Sequence, residues 1–102
     1  MATVQQIADL LAKVKLSLGL ATETDSDINS QIEQLVNSAI HLFSAVKGVN
    51  ETLLFSDTGI MLVTIYVSDV WRTGGEFKFS PATDMLLESL YATSRGMAYD
   101  AE

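Results

Sequence analysis

The chain has 102 residues and a mass of 11.1 kDa, enough for one hydrophobic core and too little for two. A hydrophobic share of 48%, a mean hydropathy of +0.25 and a single proline exclude a disordered chain. Thirteen acids against six bases give a net charge of −7, which opposes tight binding to nucleic-acid phosphates or anionic membranes, and the lack of cysteine removes disulfides and thiolate chemistry.

A domain this small buries only about 60–65% of its unfolded surface, so a composition this apolar is expected to leave greasy surface for partners, and an oligomer follows. Residues 1–6 lack the basic region and apolar run of a secretory signal. The longest greasy stretch, Ile60 to Val67, is interrupted by Thr64 and falls far short of the roughly 20 residues that cross a bilayer. The expectation is a soluble protein, cytoplasmic when made.

Four helical segments are predicted, in chain order. Thr3 and Gln6 stand in capping-box spacing, followed by Ile7, Leu10, Leu11, Val14 and Leu18 at helical intervals, with Gly19 as a left-handed stop. After the polar stretch Ala21 to Ser26, Ile28, Ile32, Leu35, Val36, Ala39, Ile40, Phe43 and Val46 keep a 3.6-residue period up to Gly48. Asp25 and Asp27 suit the positive end of that helix and Lys47 its negative end. The third segment, Thr58 to Thr73, is apolar nearly all round and is expected to run through the middle of the core. Its β-branched residues permit a strand, but its length and an N-cap at Asp57 favour a helix closed by Gly74 and Gly75. Glu76-Phe77-Lys78-Phe79 alternates and reads as a short strand or an extended connection. Ser80-Pro81 opens the last helix, whose stripe is Met85, Leu86, Leu87, Leu90 and Tyr91. The period is lost from Thr93 on. The expected fold is therefore all-α, a small bundle of about four helices with a buried third helix and a possible β segment at 76–79. A helical domain would span 1–92 and a flexible tail 93–102.

Little in this pattern points to catalysis. His41 is the only histidine, lies on the polar face of the second helix, and has no nucleophile elbow to serve. Asp25 and Asp27 sit where a helix dipole favours the ionised form, so they read as caps rather than as a general acid and base. The run Glu23 to Ile28 lacks the glycine and terminal glutamate of a calcium loop, and Gly74-Gly75 has no phosphate-loop continuation. No cofactor and no metal are expected, and the chain does not read as an enzyme. The remaining features suit contact. Leu53-Leu54-Phe55 either folds back as a lid over the core or faces another subunit. Trp71-Arg72 closes the third helix with residue types enriched at interface hot spots, although a lone tryptophan also suits a core. Arg95, Met97 and Tyr99 suit docking into a partner's groove or belong to an inert tail.

The layout resembles the small head-completion, or head-to-tail connector (adaptor), proteins of long-tailed bacteriophages. The matching pieces are Val14 to Leu20, Asp25-Ser26-Asp27-Ile28 leading to Ile32, Ala39-Ile40, Val46-Lys47-Gly48, Ile60 to Trp71-Arg72, and Pro81 to Leu90. The likeness lies in order, spacing and length across residues 4–92. It implies a structural virion protein that forms a ring under the portal, a dodecamer in the virion and a monomer or weak associate when alone. Such a ring extends the DNA channel used in genome packaging and ejection and docks a stopper or tail protein. DNA would pass without specific binding, and the protein would wait in the host cytoplasm before joining the head–tail interface. The resemblance assigns Arg95, Met97 and Tyr99 to portal contact, with Leu53, Leu54, Phe55, Trp71 and Arg72 as further candidates for portal or subunit contact. The rival expectation is a small cytoplasmic helical interaction module or dimeric regulator.

Overall fold

The computed structural model describes residues 3–75 and 77–100, with side chains described as far as Ser94. Among these the fold is all-helical: α1 (Val4–Ser17), α2 (Ser26–His41), a π-helical turn (Leu42–Val46), a 3-10 turn (Glu51–Phe55), α3 (Asp57–Thr73) and α4 (Pro81–Asp100). Residues 77–80 form a strap that is neither helical nor paired as a strand, so the connection reading holds for residues 77–79, Glu76 lying outside the described residues.

Each helix begins and ends for local reasons. At α1 the capping box forms in full: Thr3 Oγ1 accepts from Gln6 N at 3.1 Å and Gln6 Oε1 accepts from Thr3 N at 2.9 Å. Its end is a Schellman turn, with Leu20 N donating to Lys15 O at 2.8 Å across Gly19 at φ 76°. Asp25 caps α2 by accepting from Asp27 N at 2.8 Å and Ile28 N at 3.2 Å. The cap of α3 is Ser56, not Asp57. Its hydroxyl oxygen accepts from Gly59 N at 3.2 Å and donates to Leu53 O at 2.6 Å, which leaves Asp57 as a first-turn charge. Ser80 caps α4 through Thr83 N at 3.2 Å, with Pro81 in the first helical position as expected.

The core is Leu10 and Val14 of α1, Ile32, Val36, Ala39 and Phe43 of α2 and its π turn, then Val49, Leu53, Leu54, Leu62, Val63, Val67, Leu87 and Leu90. Central α3 packs on α1, α2, α4 and the 3-10 turn, which explains why its sequence is apolar on most sides. Two side chains assigned to apolar stripes leave the core. Val46 is 64% exposed because the π turn, marked by Lys47 N donating to Leu42 O at 2.9 Å, adds a residue and rotates it off the α2 face. Met85 is 73% exposed, and Thr83 is buried in α4 beside the leucines. The helix also runs to Asp100, past the end of the apolar period at Thr93, where the threonine hydroxyl donates to Ser89 O at 3.0 Å inside the helix.

Candidate interaction surfaces

The candidate contact residues separate into three groups. Leu53 and Leu54 belong to the core: Leu54 is fully buried and Leu53 nearly so. The 3-10 turn lays them under α3 at Gly59, where an added Cβ would lie within 2.2 Å of Leu53 O and 2.4 Å of Leu54 Cα. The fold-back reading of the triplet therefore holds for Leu53 and Leu54, which leave the candidate interface, and only in part for Phe55. Phe55 is half-buried and lines a small polar recess with Gln6, Asp9, Lys13 and Ile60.

Trp71 is half-buried and Arg72 exposed. The indole forms one wall of an open groove of about 570 Å³ between α2 and the end of α3. Leu35 and Val70 supply its apolar floor, Gln31, Gln34 and Ser38 its hydrogen-bonding rim, and Gly74 and Gly75 one margin. Apolar and amide groups side by side suit a protein segment better than a charged small molecule. The side chains of Arg95, Met97 and Tyr99 lie outside the described residues.

The sequence reading did not single out an aromatic corner on the strap. Phe77 packs edge-on against Phe43 with ring centroids 6.2 Å apart, and its ring lies 5.0 Å from those of both Tyr66 and Phe79. Lys47 Nζ stands 4.3 Å from the centroid of the Phe79 ring, and Tyr91 donates its hydroxyl proton to Lys47 O at 2.5 Å. The alternation in residues 76–79 was the available signal. It does set Phe77 and Phe79 toward each other, but against side chains instead of a neighbouring strand.

His41 is exposed on α2, and Asp25 is engaged as a cap. Among the described residues there is no group of three or more His, Asp or Glu side chains placed to hold a metal ion, and no helix long and apolar enough to cross a membrane. The surface also presents Val4, Leu16, Val46, Met61, Phe79 and Met85 as exposed large apolar side chains. Comparison with protein-family models, curated proteins and solved structures finds no match.

Proposed function

We propose that this chain is a structural connector that assembles into a ring beneath a phage portal, lengthens the DNA channel and offers a seat for a stopper or tail protein. The observation that carries this reading is the order of parts: a short capped helix, an acidic turn, a long amphipathic helix, a central apolar helix ending at Trp71-Arg72, and a proline-opened leucine-rich helix. That order is the one by which the chain resembles the head-completion proteins. Two physical features support it. A net charge of −7 suits a wall past which a polyanion slides without being gripped. The Trp71 groove and the exposed apolar side chains give one subunit several contact features, as head-to-tail ring closure requires two different patches per copy.

The test is electron microscopy of candidate portal particles with and without the purified chain. The expected result is an added ring of density on the portal axis. A chain that forms a tight dimer by light scattering, and adds no density to any portal particle, overturns the connector reading in favour of a dimeric interaction module.

A further inference from the structure

The last part of the fold is attached differently from the rest. Helices α1, α2 and α3 and the 3-10 turn pack on one another around the core, whereas α4 has α3 as its main partner. Leu87 and Leu90 of α4 enter the common core, and beyond α3 the strap and α4 also meet the body through ring contacts of Phe77 with Phe43 and Tyr66, the Lys47–Phe79 contact, and the Tyr91 hydroxyl on Lys47 O. Strap and α4 thus form an arm laid along one side of the body.

The joint of this arm is Gly74-Gly75, at φ 79° and φ 144°. Both values lie where residues with a side chain are strained. Yet a Cβ at either position would meet nothing within 4 Å, so these glycines set the direction of the chain and not the packing. The backbone there borders the open Trp71 groove.

We propose that the arm is exchangeable, so that in the assembled state the strap and α4 of one copy seat on the Phe43–Tyr66 surface and α3 of a second copy. The receiving surface is the one the arm fills within its own chain, so exchange needs no new complementarity. Passing each arm to the next copy is a head-to-tail contact, which closes into a ring when the rotation per subunit permits. The ring rests on the connector reading; the exchange itself does not.

The chain has no cysteine, so spin labels can be placed through Met61→Cys on α3 and Met85→Cys on α4, both at exposed positions. A doubly labelled chain, diluted to monomer, gives the reference distance. Singly labelled chains mixed in equal amounts, then concentrated or assembled on portal particles, should give that same distance between copies. Oligomers that give another distance, or none, overturn the exchange. Hinge variants move the equilibrium in opposite directions. Gly74→Ala with Gly75→Ala strains the closed joint and should raise the exchanged fraction at a given concentration by roughly tenfold. Two glycines inserted after Gly75 relax it and should lower that fraction; a lengthened hinge that oligomerises as readily as the native one also overturns the proposal. Portal rings without the transferred distance would remove the exchange and leave the connector reading standing. Exchanged oligomers that add no density to portal particles would do the reverse.

Discussion

The contact between the 3-10 turn and α3 depends on one missing methyl group, and Gly59→Ala measures it. Gly59 is buried at the third position of α3, and a Cβ there would lie 2.2 Å from Leu53 O, 2.4 Å from Leu54 Cα and 2.6 Å from Leu54 C. All three neighbours are backbone atoms, so no side chain can swing aside. Reaching ordinary contact near 3.5 Å requires the turn and the helix to separate by about 1 Å. That movement loosens Leu53 and Leu54, both core residues, and pulls Gly59 N away from the Ser56 hydroxyl that accepts from it at 3.2 Å. Overpacking of this kind costs about 1–3 kcal/mol, and the rigid neighbours place this case toward the upper end. Replacing glycine by alanine in a helix returns at most about 1 kcal/mol. The net loss is about 2 kcal/mol, a fall in thermal midpoint of roughly 8–16 °C for a domain of this size. Thermal and urea unfolding followed by circular dichroism read it directly. A variant as stable as the native chain would show that helix propensity governs position 59 and that the close approach does not.

Three further outcomes follow from the same packing. Ser56→Ala should cost about 1 kcal/mol in urea unfolding through the lost cap, while Asp57→Ala should cost only the few tenths expected of an exposed first-turn charge; the reverse order would restore Asp57 as the cap. Leu54→Ala should cost about 2–5 kcal/mol as a core truncation, and a variant of native stability defective only in assembly would return this residue to the interface. In the aromatic corner, Phe77→Ala should destabilise by several times as much as Phe79→Ala, since Phe77 touches Phe43, Tyr66 and Phe79 whereas Phe79 is 40% exposed; equal losses in thermal unfolding would mean that the strap is held by its outer ring.

What could be read from the sequence was what local chemistry decides. The Thr3–Gln6 box, the Asp25 cap, the Gly19, Gly48 and Gly74 stops and the period of α2 as far as Phe43 each depend on residues within one or two turns of each other, and each forms. The misreadings have longer-range or competing causes. Nothing in the apolar pattern announces the extra residue of the π turn, although Ser44, whose hydroxyl donates to Ile40 O at 2.6 Å, is a residue that can occupy that carbonyl in place of a backbone N–H. Gly59 lies inside α3 at a close approach to Leu53 and Leu54 that no local pattern announces, and that approach bears on whether Leu53-Leu54 turns inward. Of the candidate contact residues, Trp71, Arg72 and Phe55 retain accessible surface because helix ends and turns place them at the margin of the core. The aromatic corner went unread because Phe43, Tyr66, Phe77 and Phe79 meet only once three elements are in place.

The distribution of exposed apolar side chains bears on how many neighbours the chain is suited to meet. Isolated exposed apolar residues are ordinary on a soluble surface, so their number alone decides nothing. Their placement is more informative. Val4 and Leu16 stand at opposite ends of α1, Val46 on the π turn, Met61 on α3, Phe79 on the strap and Met85 on α4. Twelve residues of helix separate Val4 from Leu16 by about 18 Å and by a third of a turn around the axis, so even these two point away from a common small patch. A two-fold dimer needs one self-complementary patch, and Val4 and Leu16 do not share one. The proposed ring subunit, held between two copies, a portal and a stopper, would use several small contacts in different directions, and the separation of Val4 from Leu16 suits that demand. Val4→Gln and Leu16→Gln should then weaken different contacts: if both variants, made singly, lost the same neighbour in portal-bound rings, the case for separate patches would fail even with the fold intact.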